Sequence, residues 1–263
     1  MSCDACNHSG WVEMPDTGGV LRAVRCECRR LAVQSNALKA ANIPLHYDGA
    51  TLDTYVPGTD EQADALRAAR KFLDQFPTKQ KGLLFQGGGG VGKTHLVAAV
   101  LRTVIQEKGG RGSFFEARDL LRRLRDTYAH GADQDVTELS IMTPLFECDV
   151  LVLDDLGGEK MSAWTQETLG LVINQRYNNA RPILVTTNLV DDGDTTNPNA
   201  LIWQIGARSR SRLREMCEWY DVAGRDARIH GIPTGRTVPA PAAPVRDFRL
   251  QPPAPVAHHR RGR

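Results

Sequence analysis

The chain of 263 residues has no apolar run near the roughly 20 residues that a membrane-crossing helix needs, so a helical span is excluded. Its opening residues, MSCDACNHSG, have neither the basic start nor the apolar stretch of a secretory leader. A cytoplasmic, reducing compartment is therefore expected, with no membrane partner. An excess of one charge is also missing: 33 Lys and Arg stand against 31 Asp and Glu, a net charge of +2, so overall electrostatics select no partner. Cysteine is scarce, with six in all and four of them within the first 28 residues. In a reducing compartment that distribution argues against a disulfide framework. No internal repeat is present.

The chain reads in four parts: a cysteine cluster over 1–30, connecting helices over 31–80, an alternating region over 81–230, and a tail over 231–263. From Ile232 onward there are seven prolines, six arginines and a single acid, without periodicity, and a disordered tail is expected there. The rest of the chain is close to neutral, so any nucleic-acid contact in it must be a local patch. In the third part, strands are expected at Gly82–Gln86, Ser113–Ala117, Val150–Asp154, Pro182–Thr187 and Glu218–Val222. Helical spacing falls between them at His95–Lys108, Asp119–Tyr128, Ala163–Asn179 and Ala200–Met216, the last with a break near Gly206. Strict alternation predicts βαβ crossovers, hence an α/β fold with a parallel sheet covered by helices on both faces.

The segment GLLFQGGGGVGKTHL carries the strongest chemical signal. Gly87, Gly88, Gly89, Gly90, Val91, Gly92, Lys93 and Thr94 fit G-x-x-x-x-G-K-[ST], between an apolar strand and an amphipathic helix. Glycines let main-chain N–H groups turn inward around phosphates, and a helix N-terminus adds its positive dipole end. In that arrangement Lys93 reaches the β- and γ-phosphates of ATP and Thr94 ligates Mg2+. A second element, VLVLDDLGGE, delivers Asp154 and Asp155 at the C-terminal edge of a buried strand, where ligands of open parallel sheets bind. Asp154 is expected to hold Mg2+ and Asp155 to orient or deprotonate water. A third, ILVTTN, ends in Asn188, which either bonds the γ-phosphate or the water or serves as a turn residue.

Cys3-x2-Cys6 and Cys26-x-Cys28 are two thiol pairs separated by nineteen residues rich in glycine, a pattern suited to tetrahedral Zn2+. His8 is a substitute ligand, although four thiolates already complete the shell. A module this small depends on metal for much of its stability. Along Asp119–Tyr128, with Asp119 as N-cap, Arg118, Arg122 and Arg125 form a basic stripe that either tracks single-stranded DNA or is a solvated helix face.

Taken in order, GGGGVGKTH, VLVLDDLGGE, LVINQRYNNARPILVTTNL, SRLREMC and GRDAR resemble the AAA+ ATPases of the DnaC/DnaI helicase-loader and IstB family, over about residues 81–230. The resemblance implies an AAA+ P-loop NTPase core, preceded by a small zinc-binding module and without a C-terminal lid domain. It implies that the Asp154 strand neighbours the strand ending at Asn188, and that Asn188 matches sensor 1. It places His95 beside the nucleotide, Arg212 as an arginine finger completing a neighbouring subunit's site, and Arg228 where a second sensor arginine is found. It implies self-association through the ATP sites, with a replicative hexameric DNA helicase and single-stranded DNA as partners, the zinc module being nearest the DnaI branch. Two departures stand out. Val91 occupies a position often held by Thr, and Asp155 one often held by Glu, whose extra methylene reaches further toward water, so slow intrinsic hydrolysis is expected. An IstB-type transposition helper, and a zinc adaptor that binds ATP only structurally, are the alternative readings.

Overall fold

The alternating apolar runs between residues 82 and 221 build a five-stranded parallel sheet. In this computed structural model the described residues are 3–78, 81–129, 137–158, 162–194 and 196–231. The tail expected over 232–263, with its arginines, lies outside them. Strands β3 (Gly82–Gln86), β4 (Gly112–Glu116), β5 (Val150–Asp154), β6 (Ile183–Thr187) and β7 (Cys217–Asp221) line up in the order β4-β5-β6-β3-β7. The β5–β6 pairing puts the Asp154 strand beside the one leading to Asn188, as the resemblance implied. The glycine-rich loop leaves β3, which sits between β6 and β7.

Side chains alternate across the pleat, and both faces are dry. Leu83, Phe85, Val150, Val152 and Leu184 face one core, with α2 (Asp60–Gln75) and α3 (Lys93–Gln106). Leu84, Leu151, Leu153, Ile183 and Val185 face the other, with α4 (Ala117–Ala129), α5 (Glu138–Glu147), α6 (Ala163–Asn178) and α7 (Leu201–Met216). Burial on both sides is why these strands read as continuous apolar runs rather than alternating ones.

Upstream, β1 (Trp11–Pro15) and β2 (Leu21–Arg25) form an antiparallel hairpin that leads into α1 (Glu27–Ala40). Segments read as connections also enter the core: Ala41, Ala50, Leu52 and Tyr55 are buried, and α2 buries Ala65, Leu66, Ala69 and Phe72. Thr59 caps α2 by accepting from the Gln62 amide at 3.2 Å.

Several boundaries differ from expectation for local reasons. Helix α3 begins at Lys93 rather than His95, because Gly92 caps it in the left-handed region, at φ 96°. Helix α4 begins at Ala117, which removes Asp119 from the N-cap and puts Arg118 inside the first turn. Helix α5 has no counterpart in the sequence reading. A reciprocal cap between Thr137 and Ser140 starts the helix, which runs through Pro144. The break near Gly206 is present, at φ 79° and ψ 154°. Among the described residues only the short α8 (Ala227–His230) follows β7, and no helix is long and apolar enough to cross a membrane.

Candidate functional site

Three sheet-edge segments converge at the start of α3. The loop after β3 supplies Lys93 and Thr94, the end of β5 supplies Asp154 and Asp155, and the end of β6 supplies Thr186 and Asn188. All six line a cleft of about 790 Å3 together with Gly89, Gly90, Gly92, His95 and Arg228. Lys93 is 7% exposed. Its Nζ donates to the carbonyls of Gly87 at 2.8 Å and Gly88 at 2.6 Å, and to Oδ1 of Asn188 at 2.8 Å. Asn188 Nδ2 in turn donates to Asp155 Oδ1 at 2.7 Å. Burial brings the Lys93 ammonium down to about 8, against the opposing pull of Asp155 and Asp154.

Asp154 accepts from the hydroxyls of Thr186 at 2.6 Å and Thr94 at 2.9 Å. Burial pushes its carboxyl above the ordinary range, and the two hydroxyl bonds pull the other way. Hard oxygen donors gathered on a buried carboxylate are the donor chemistry that Mg2+ takes, so Thr94 and Asp154 fit the ion. Asp155 has φ 53°, a left-handed conformation uncommon for a residue with a side chain. Its amide donates to Thr186 Oγ1 at 2.9 Å, which holds this turn against β6.

The glycine-rich loop is shaped by what touches it. A Cβ on Gly92 would fall 2.5 Å from the Tyr55 ring, and one on Gly90 would collide with the Asp226 carboxylate. Val91 is buried, and its carbonyl accepts from Tyr55 Oη at 3.2 Å and Gln62 Nε2 at 3.1 Å. Beside the cleft lies a cavity of about 460 Å3 bordered by Tyr55, Val56, Val91, His95 and Gly224, and the two share Gly92, His95 and Ala227. His95 Nε2 is within 2.9 Å of the Thr51 carbonyl and 3.3 Å of Thr54 Oγ1, which fixes the ring at this junction. A polyphosphate-sized polar cleft joined to a partly apolar slot suits a nucleotide.

Arg228 lines the cleft, and its charge reaches Lys93. Arg212 does not line it: its guanidinium sits 5.6 Å from the centre of the Tyr177 ring on α6. Tyr55, Gln62, Thr186 and Asp226 were missed in the sequence. For Thr186 a signal was there, two threonines interrupting an apolar strand just before Asn188; for Tyr55 and Gln62, held here only by tertiary packing, there was none.

The four N-terminal thiols meet. The Sγ atoms of Cys3, Cys6, Cys26 and Cys28 all lie within 4.8 Å of one another, with Cys3–Cys26 at 3.8 Å and Cys6–Cys28 at 3.5 Å. A tetrahedron with metal–sulfur bonds of about 2.3 Å has sulfur–sulfur edges of about 3.8 Å, so the set fits Zn2+. The Gly10 amide donates to Cys6 Sγ at 3.4 Å and brings that thiol down to about 7. His8 stands outside the cluster, its Nδ1 accepting from the Cys3 amide at 3.0 Å.

The basic stripe is partly neutralised. Arg122 and Arg123 both bond Asp119, at 2.6 Å and 2.7 Å, Arg118 donates to the Gly158 carbonyl, and Arg125 lies 4.7 Å over Trp164.

Known proteins resemble this chain in sequence and in fold. The family model for IstB-like ATP binding proteins matches residues 21–194. The replicative helicase loader DnaC of Escherichia coli (strain K12) is 23% identical over 192 residues, covering 73% of this chain and 74% of the relative. A crystal structure of the DnaC helicase loader superposes with a TM-score of 0.59 and 37% identity, over 68% of this chain and 99% of the other. An ATP-binding protein of insertion sequence IS5376 from Geobacillus stearothermophilus is 30% identical over 138 residues, 52% of each chain.

Proposed function

This chain belongs to the IstB-like ATP-binding protein family, and from that premise we propose that it is an ATPase that loads a replicative hexameric helicase onto single-stranded DNA. One observation carries the ATPase part: a buried lysine, a strand-end asparagine and a strained aspartate form a single hydrogen-bonded chain across the cleft. The helicase part rests on the 37% identity to the DnaC helicase loader over nearly all of that structure.

In this mechanism Lys93 exchanges two carbonyls and an amide oxygen for phosphate oxygens, which are stronger acceptors. Glycine-loop amides and the N-terminus of α3 hold the same anion. Thr94 and Asp154 would hold Mg2+, which would supply positive charge to neutralise the phosphates. Asn188 is released from Lys93 and becomes free to bond the γ-phosphate while still touching Asp155. Asp155 orients water for in-line attack on the γ-phosphorus and takes up its proton as the bond to the β-phosphate oxygen breaks. Its side chain, one methylene shorter than Glu, holds that water less closely, so unaided turnover is slow. The slot beside Tyr55 and His95 takes the base. Arg228 adds positive charge within the subunit, and Arg212 supplies it to the site of a neighbour, so ATP occupancy favours self-association. The four cysteines bind Zn2+, and the hairpin they anchor, with Trp11 and Val12, contacts the helicase. Arg118, Arg122 and Arg125 lie along single-stranded DNA.

The IS5376 relative favours one other reading, an ATPase acting with a transposase on duplex DNA. Size-exclusion chromatography with a replicative hexameric helicase, with and without ATP, separates the two. Co-elution that requires ATP, and is lost in Lys93→Ala, supports loading. Saturable ATP binding without any helicase complex sinks it.

A further inference from the structure

Three residues beyond Asn188, in the loop leaving β6, Asp191 has a side chain wholly shielded from solvent. A carboxylate removed from water requires compensating donors. Here they come from two arginines one turn apart on α7. Arg210 donates Nε to Oδ1 and Nη2 to Oδ2, the latter at 3.1 Å. Arg214 donates both Nε, at 2.8 Å, and Nη2 to Oδ2. Arg214 also stacks 3.8 Å over the Trp219 ring of β7, and Trp219 Nε1 bonds the Leu213 carbonyl at 3.2 Å. The C-terminal half of α7 is thus pinned from the loop on one side and from the sheet on the other.

Arg212 lies between the two clamped arginines in sequence. At about 100° per residue, a two-residue step turns a side chain to the opposite side of a helix. Accordingly Arg212 takes no part in the clamp and rests over Tyr177. The left-handed Gly206 interrupts α7 upstream, so the segment bearing Arg212 is set by its own contacts rather than by the helix before it. The same short loop therefore begins at Asn188, inside the chain's own cleft, and ends on the clamp behind Arg212, outside it.

We propose that Asp191 is a positioning residue for Arg212: it ties the Arg212 segment to the Asn188 loop and so sets where the guanidinium is offered to a neighbouring subunit. The proposal rests on the reading that Arg212 completes a neighbour's site.

Subunit mixing tests it in the full-length chain at concentrations where it self-associates. Lys93→Ala subunits have an inert site but an intact Arg212, and Arg212→Ala subunits have the reverse. Asp191→Asn is expected to lower phosphate release at least tenfold while the ATP Kd stays within about threefold. Adding Lys93→Ala subunits, themselves inactive, is expected to restore release in Asp191→Asn as in Arg212→Ala, whereas Asp191→Glu retains part of the activity unaided. A defect confined to folding or to the chain's own site would not be rescued in this way. The proposal is overturned if Asp191→Asn turns over like the parent, or if its loss is not rescued while that of Arg212→Ala is. If Arg212→Ala itself keeps parental turnover or cannot be rescued, the neighbour-site reading fails and takes this proposal with it. Should Asp191→Asn not fold, Arg210→Gln removes one donor from the same carboxylate and enters the same mixture, with the same two outcomes.

Discussion

Lys93 Nζ and Asn188 Oδ1 are 2.8 Å apart although 95 residues separate them in the chain. The bond spans two neighbouring strands, β3 and β6, and Asn188 continues it to Asp155. A single side chain thereby bonds both the lysine proposed to bind phosphate and the aspartate proposed to orient water.

Asn188→Ala is expected to separate binding from turnover. Lys93 keeps the Gly87 and Gly88 carbonyls in the free protein, and the phosphate keeps the loop amides, so ATP affinity should change by no more than about threefold. Asp155 loses its donor, and a hydrogen bond to a charged group contributes about 1.5–3 kcal/mol. At about 1.4 kcal/mol per factor of ten, phosphate release should fall by roughly 10- to 100-fold. Fluorescence titration and a phosphate-release assay on the same preparation check both halves. Equal losses in affinity and rate would make Asn188 a binding residue only.

ATP affinity should weaken above pH 8. Burial lowers Lys93 to about 8 in the free protein, below the 10.4 or so of an unburied lysine. Bound phosphates favour the ammonium, so the complex retains its proton at pH values where the free protein has lost it. Below about 8 both states are protonated and the Kd is flat; above it, binding must take up a proton and the Kd rises by up to about tenfold per pH unit. For stability the sign is the reverse. Between about 8 and 10.4 the unfolded chain holds the extra proton, so this group makes the nucleotide-free fold more stable as pH rises. Calorimetry in buffers of different ionisation enthalpy reads the proton uptake directly.

The parts of this molecule legible in the sequence are those whose chemistry is written locally. Gly92-Lys93-Thr94 after an apolar strand, Asp154 at the end of VLVLD, and the Cys3–Cys6 and Cys26–Cys28 spacings each state a donor set within a few residues. Of the sheet order only the β5–β6 pairing was expected, and it came from resemblance, because nothing in a strand's own residues says which strand will lie beside it. Contacts made only by tertiary packing were illegible. Tyr55 sits in a stretch broken by Pro57 and Gly58 that looks like a loose connection, yet its ring closes against Gly92 and its hydroxyl reaches the Val91 carbonyl. Helix α5 was absent from the sequence reading; the cap that starts it depends on Thr137 and Ser140 rather than on apolar spacing.

Tyr55 yields a prediction that tells base from phosphate. Its ring borders the slot beside the cleft, and it does not line the phosphate cleft itself. Tyr55→Phe removes one buried hydroxyl bond and should cost about 1 kcal/mol of stability. Tyr55→Ala removes the wall of the slot. ATP binding should then weaken at least tenfold, while inorganic tripolyphosphate, which has no base, binds about as before. Parallel competition titrations give the ratio, and equal weakening of both ligands would place the base elsewhere.

Metal removal should unmake the N-terminal hairpin and spare the sheet. Nearly every residue of β1 and β2 is exposed, whereas Cys6 and Cys26 are buried at 6% and 4% exposure. The hairpin therefore has no apolar core of its own, and its closure is expected to rest on a metal held by the four cysteine sulfurs that meet at one point. The sheet, in contrast, is buried on both faces by residues that make no use of the cluster. One Zn2+ per chain is expected by elemental analysis, falling well below that in Cys6→Ser and Cys26→Ser. Chelation should shift the fluorescence of Trp11, which carries the Arg29 guanidinium 5.1 Å above its ring, and leave ATP affinity within about twofold. Full zinc content in both serine variants would rule out this cluster as the binding site. Loss of ATP binding on chelation would show instead that the hairpin is coupled to the core through α1, where Gln34 Nε2 already bonds the Gln106 carbonyl at 2.7 Å.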